Sequence, residues 1–265
     1  GIKVTLDGQG ADEILGGYVP FLSARLATMV RKGEYCRAFK FLNAATATAS
    51  GRAGVMMRAG RFLIPPSLQG MARSIVGEQV MPDWMNKDWL SRHGVIAQAP
   101  QKPVAGDVLR NELFESMNNR ILPGLLRYQD CNSMAHSVES RVPFLTTELV
   151  EFIMSLPEEH LISDGAETKS VFRAAMRGLV PDPILDRRDK VGFATPESKW
   201  LYETSGWMNK VLDSDILRSI PVFDAHAMSR EIEAVRSGSK LVGESTWCWL
   251  NLARWVELFD VQFEA

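Results

Sequence analysis

Residues 6–18 read Leu-Asp-Gly-Gln-Gly-Ala-Asp-Glu-Ile-Leu-Gly-Gly-Tyr and carry the densest chemistry in the chain. Gly8 and Gly10 let the backbone come close to a ligand. Amides in a Gly-rich strand-to-helix turn can cradle an anion. The adjacent carboxylates Asp12 and Glu13 add hard oxygen ligands suited to a metal-bound phosphate. The run reads as a nucleotide turn. It lies so near the first residue that part of the site is expected to come from upstream, outside this chain.

The elements that must position this turn follow from periodicity. Ile2, Val4 and Leu6 make a short β-type run before it, and strand signal is confined to these first residues. A lone strand is not stable, so it is expected to pair with something absent or to edge a larger sheet. From about 14 to 49 the pattern is helical, and Gly33 divides it into two helices. Residues 50–105 are broken by Gly and Pro and read as an insertion or a partner surface, with buried anchors in the turn at Trp84 and Met85. A helical stripe over 107–122 stops at Pro123, and 124–138 reads as a second helix. Residues 139–145 form an extended turn fixed by Pro143. Thr147 caps a helix whose apolar face is Leu149, Val150, Phe152, Ile153 and Leu156. A helix over about 166–179 ends at Pro181, a loop with Arg187, Arg188, Lys190 and Phe193 follows, and a last helix spans about 245–259.

Bulk composition bounds the function classes. A chain of 265 residues can bury a sizeable core. A formal net charge of −2 gives no case for nucleic acid or an anionic membrane as partner. The 3 cysteines, Cys36, Cys131 and Cys248, are odd in number and far apart, which fits a reducing, cytoplasmic compartment without a disulfide framework. No apolar run reaches the length of a membrane helix.

The order of motifs along the chain resembles that of asparagine synthetases. Residues 6–18 are similar to that family's second nucleotide loop, Ser-Gly-(Gln/Glu)-Gly-(Ala/Ser)-Asp-Glu-(Leu/Val)-Phe-Gly-Gly-Tyr. Residues 127–145, Arg-Tyr-Gln-Asp-Cys-Asn-Ser-Met-Ala-His-Ser-Val-Glu-Ser-Arg-Val-Pro-Phe-Leu, resemble its Asp-Arg-x-Ser-Met-Ala-x-x-x-Glu-x-Arg-x-Pro-Phe-Leu segment. Lys169 to Arg173 and Arg187 to Phe193 resemble its Lys-x-x-x-Arg helix and its Arg-x-x-Lys-x-Gly-Phe loop, and Trp247 to Trp255 its C-terminal helix. The likeness spans nearly the whole chain and is weakest between residues 50 and 105.

That resemblance implies the C-terminal part of an α/β adenine-nucleotide α-hydrolase-like domain of ATP-pyrophosphatase type, mainly α here with a short N-terminal strand, over 1–265 as one partial domain. It implies ATP and magnesium, a carboxylate substrate (usually aspartate) activated as an acyl-adenylate, and ammonia or an amine as nucleophile. In full-length members a glutaminase domain with a catalytic cysteine supplies the ammonia. Two departures stand out. The family's first phosphate loop, Ser-Gly-Gly-x-Asp-Ser, is nowhere in this sequence, nor is a glutaminase segment, and Asp7 replaces the usual serine. The chain alone is therefore expected to be incomplete or inactive, with the missing upstream half or glutaminase domain as its partner. Specialised relatives, such as β-lactam or lasso-peptide ring-forming synthetases, and a non-catalytic fragment are the alternatives. An exposed apolar face where strands are missing would favour self-association.

Residue roles follow by position. Asp12 matches the family's magnesium-binding aspartate. Asp7 and Gly8 match the ATP-contacting Ser-Gly pair, and Gly10 is the turn's second close-approach glycine. Gln9 sits where family members reach into the cleft and is a catalytic candidate. Lys190 is the strongest catalytic candidate, placed to neutralise charge on the α-phosphate and departing pyrophosphate. Glu13 orients the loop or joins the metal; Gly16 and Gly17 serve close packing. Glu139 and Arg141 read as a buried ion pair that shapes the cleft or as substrate contacts, Asp130 as a salt-bridge partner of Arg127 or Arg141 or an acceptor for the amine nucleophile, His136 as a core histidine rather than a general base, and the last helix's tryptophans as core.

Overall fold

The computed structural model describes residues 1–45, 51–64, 68, 81–95, 107–187, 196, 199–200, 203–240 and 244–263. The described structure is mainly helical, with one two-stranded parallel sheet. The chain divides into two compact units, Gly1–Gly70 with Lys102–Lys190 and Met71–Gln101 with Val191–Ala265.

In the first unit, β1 (Val4–Leu6) runs into α1 (Ala11–Leu15) through the Gly-rich turn. The strand has a partner in this chain. β2 (Glu139–Arg141) lies parallel to it, with Val4 opposite Glu139, Thr5 opposite Ser140 and Leu6 opposite Arg141. This corrects the expectation of a single strand signal. The three residues of β2 are polar and short, so their β preference is weak and Pro143 dominates the local pattern. Pro143–Leu145 forms a 3-10 turn directly after it. Outside the pairing, β1 is open: Ile2 and Leu6 are 77% and 76% exposed.

Helix α2 (Val19–Arg31) is the axis of this unit, and every residue from Phe21 to Met29 is buried. It packs with α3 (Tyr35–Ala44), α4 (Gly51–Leu63) and α6 (Val108–Glu115) around Leu22, Phe41, Val55, Leu109 and Leu113. Gly33, at φ 75°, sits in the break between α2 and α3 as the sequence predicts. α6 continues through a π-helical turn, Ser116–Arg120, and Pro123 sits in the first turn of α7 (Leu122–Met134). α8 (Thr147–Ser155) follows an extended Thr146, with no side-chain cap hydrogen bond.

α2 also buries charge. Arg25 Nη1 donates to Glu158 Oε2 at 2.8 Å, with both side chains 3% exposed. Glu158 opens α9 (Glu158–Leu161). Burial pushes its carboxyl above the usual carboxylate range, and the Arg25 guanidinium pulls it back only in part. Thr28 completes the network: its Oγ1 accepts from the Leu109 amide at 3.1 Å and donates to the Ala24 carbonyl at 3.2 Å. Two interior polar residues of α2, Arg25 and Thr28, are thus tied to α9 and α6.

In the second unit, α5 (Lys87–Arg92) follows the turn at Trp84, and α12 (Ser205–Leu212), α13 (Asp215–Ser219), α14 (Ala225–Arg236) and α15 (Glu244–Leu258) surround an aromatic centre. Trp249 is 1% exposed and meets Trp84 edge-on, ring centroids 5.5 Å apart. The turn at Trp84 is pinned by Asp224 N donating to Trp84 O at 2.9 Å and Asn86 N to Val222 O at 2.8 Å, so Trp84 anchors the turn, though it is partly buried and not fully buried as the sequence reading expects. The other tryptophans of α15 correct that reading: Trp247 and Trp255 are each 48% exposed. α15 turns one stripe inward, and these two positions lie off it.

Candidate nucleotide and metal site

The turn after β1 is built by its own backbone. Asp7 N donates to Arg141 O at 2.8 Å, which ends the sheet pairing. The Asp7 carboxylate then accepts from Gln9 N at 2.9 Å, closing an Asx turn. A serine hydroxyl can accept the same bond, so an aspartate at this position keeps the loop shape while adding charge. Gly8 is exposed, and a Cβ there would meet nothing within 4 Å. Gly10 differs: at φ 91° it takes a left-handed conformation, and a Cβ there would collide with Leu145. Gly10 therefore brings the turn against the residue that closes the segment after β2. The Gly8 and Gly10 amides, and the Gln9 side chain, have no hydrogen-bond partner among the described residues.

α1 then presents two carboxylates in opposite senses. Glu13 is 1% exposed, and Tyr18 Oη donates to its Oε1 at 2.7 Å. Burial first, and then this bond and the Glu13 charge, raise the Tyr18 phenol well above its ordinary range, so it stays a donor. Glu13 thereby ties α1 to the start of α2 across the Gly16–Gly17 bend. Asp12 points the other way and is 39% exposed, with Lys169 Nζ 2.9 Å from its Oδ1. Gly17 makes this pair possible. A Cβ at position 17 would overlap Asp12 Oδ1 and lie 2.6 Å from Lys169 Cε. Gly16 ends α1 at φ 71°, with Ile162 about as close as a side chain could tolerate.

Lys169 reaches Asp12 from an unusual backbone. It precedes α10 (Ser170–Ala175) in a left-handed conformation, φ 55° and ψ 33°. For a non-glycine residue this costs on the order of 1–2 kcal/mol. Ala166, three residues earlier, is also left-handed at φ 59°. These two residues stop a helix from starting at 166, which is why α10 begins later than the periodicity predicts. From α10, Arg173 Nε donates to Thr168 O at 2.9 Å, and Arg173 Nη1 reaches Leu185 O and, at 3.2 Å, Arg187 O. Lys190 and its neighbours 188–195 lie outside the described residues.

Other expected roles change. Arg141 Nη2 does pair with Glu139 Oε2, at 2.9 Å, but the side chains are 65% and 60% exposed, so this is a surface pair on the outer face of β2. His136 is exposed in the turn after α7, not a core residue. Asp130 has no ion pair with Arg127 or Arg141 among the described residues. The inner face of β2 is marked instead by Ser140, which accepts from Gln129 Nε2 on α7. Sequence reasoning does not single out Lys169 as a site residue; its signal is the Lys-x-x-x-Arg spacing, which on its own reads as a helix.

Asp12 fits a divalent cation by the chemistry of its donor. It is a hard oxygen ligand, partly exposed beside the open Gly8 turn, with the Lys169 ammonium on Oδ1 as its present counter-charge. Among the described residues no three acidic, histidine or cysteine side chains converge on a cation. A single carboxylate with the remaining positions left to phosphate and water is the usual habit of magnesium.

The asparagine synthase family model matches residues 1–257. A putative glutamine-hydrolysing asparagine synthetase of Mycobacterium tuberculosis is 28% identical over 277 residues, covering 97% of this chain and 40% of that protein. Bacillus subtilis glutamine-hydrolysing asparagine synthetase 1 is 25% identical over 218 residues, covering 80% of this chain and 34% of its own length. Asparagine synthetase 3 of the same organism is 32% identical over 105 residues, 40% of this chain and 17% of that protein. The chain thus spans at most about two fifths of the length of these relatives. No solved structure matches it.

Proposed function

The chain belongs to the asparagine synthase family, and from that premise we propose that it supplies the second nucleotide loop and the metal aspartate of an ATP-dependent, amide-forming synthetase of α/β ATP-pyrophosphatase type. In that reaction a carboxylate oxygen, of aspartate in the parent activity, attacks the α-phosphorus of ATP and pyrophosphate leaves. Ammonia or an amine then attacks the acyl carbon of the adenylate and AMP leaves. The observation that carries the reading is the Asp7–Asp12 turn. Two amides without partners, open space over Gly8 and a cation-facing carboxylate lie within six residues of one another.

The roles are assigned as follows. Gly8 and Gly10 offer amides to nucleotide oxygens, with Asp7 holding the turn in shape. Asp12 would hold magnesium, which when bound draws charge from the phosphates. Gln9 extends a free amide towards the acyl group. Lys190 balances charge gathering on the α-phosphate and pyrophosphate. Arg173 supports that segment by gripping the carbonyls of Leu185 and Arg187 just before it. The upstream half with the Ser-Gly-Gly-x-Asp-Ser loop is the proposed partner, with the glutaminase domain as nitrogen source. The longer relatives and the open β1 edge support it.

The test is pyrophosphate release with ATP, Mg²⁺, aspartate and ammonia. Joined to a family segment carrying Ser-Gly-Gly-x-Asp-Ser, the chain should release pyrophosphate only when aspartate is present, and Asp12→Asn should reduce the rate at least about a hundredfold. Turnover by the chain alone, or a joined protein indifferent to Asp12→Asn, would overturn the assignment.

A further inference from the structure

Resting on the reading of Asp12 as the metal ligand, we propose that the Lys169 ammonium is the resident counter-cation of Asp12, and that a divalent cation binds this carboxylate only by displacing Lys169 from it. Three independent features converge on this pair. The ammonium lies 2.9 Å from Oδ1 of a carboxylate that is 39% exposed, so water and ions have access. Gly17 leaves the room the pair occupies, since a Cβ there would overlap Oδ1 and press on Lys169 Cε. Lys169 is also fixed in a left-handed conformation between a tight turn and a helix. Before it, Ile162 bridges Thr168, and Ser163 N donates to Glu167 O at 3.0 Å. After it, Arg173 N donates to Lys169 O at 2.9 Å. A lysine with no task would settle in an ordinary conformation and leave its charge in water.

Charge decides the consequence. An ammonium on Oδ1 neutralises Asp12 while no metal is present, so the bend at Gly17 does not carry an unbalanced carboxylate beside buried Glu13. The same ammonium repels a second cation and holds one of the two carboxylate oxygens. The pair therefore sets a threshold: free metal competes with Lys169, and metal already carrying phosphate charge competes better, because its anionic oxygens offset the repulsion.

The experiment is Mn²⁺ binding to the full chain, followed by loss of the free-ion electron paramagnetic resonance signal, in wild type, Lys169→Met, Lys169→Arg and Asp12→Asn. The expected result is at least about tenfold tighter Mn²⁺ binding in Lys169→Met, with Lys169→Arg close to wild type and Asp12→Asn without binding at this site. Equal or weaker binding in Lys169→Met, while Asp12→Asn abolishes it, would overturn the displacement and leave Asp12 as a metal ligand. Binding that survives Asp12→Asn, or no binding to any of the four proteins, would overturn the Asp12 reading and this inference with it. Far-ultraviolet circular dichroism of each variant controls for folding; if Lys169→Met does not fold, Lys169→Gln takes its place.

Discussion

Gly17 shows how much of the site rests on a missing side chain. Its φ is not in the left-handed range, so alanine suits the backbone, and the only obstacle is the space that Asp12 and Lys169 occupy. Gly17→Ala should change unfolding stability by less than about 1 kcal/mol. It should nevertheless weaken Mg²⁺-dependent ATP binding about tenfold or more, because the carboxylate must move. Titration calorimetry alongside thermal melts separates the two effects; an unchanged affinity would mean that Asp12 does not act from its present position. Gly10 gives the opposite case, where both the left-handed backbone and Leu145 oppose any side chain. The sequence assigns Gly10 to close ligand approach and Gly17 to close packing, and only the tertiary contacts reveal Leu145 against Gly10 and an ion pair against Gly17.

At the scale of elements, α2 holds the site's frame through the Arg25–Glu158 pair. Arg25→Met strips buried Glu158 of its guanidinium and should cost about 3–5 kcal/mol in denaturant unfolding, whereas Glu158→Gln should cost less, because Arg25 Nη2 keeps Glu159 and Asp164 at 3.6 Å. The double change Arg25→Met/Glu158→Leu should cost less than the sum of the two, and less than either if the cavity repacks. Additive losses would show that the two side chains do not act as a pair. This network was not legible beforehand, because its partners lie 133 residues apart and each reads as an ordinary helix charge. The helices themselves were legible: apolar spacing placed α6, α8 and α15 to within a few residues, and Gly33 and Pro123 marked real boundaries. β2 was not, since Glu-Ser-Arg has no β signature and gains its conformation from β1. The segment 50–105 looked irregular, yet α4 within it buries Val55 and Ala59 in the first unit's core. Its glycines weakened the periodic signal that these two small contacts carry.

For the whole molecule, the family is asparagine synthase, the described structure is mainly helical, and no described helix is long and apolar enough to cross a membrane. The Asp7–Asp12 turn is proposed to receive nucleotide and metal together. The most direct measurement is amide hydrogen exchange of the chain with and without Mg·ATP. Slowed exchange is expected over Gly8–Asp12, dependent on Mg²⁺ and abolished by Asp12→Asn, with the amides of α14 unchanged. ATP-dependent protection that bypasses Gly8–Asp12, or that is indifferent to Asp12→Asn, would contradict it.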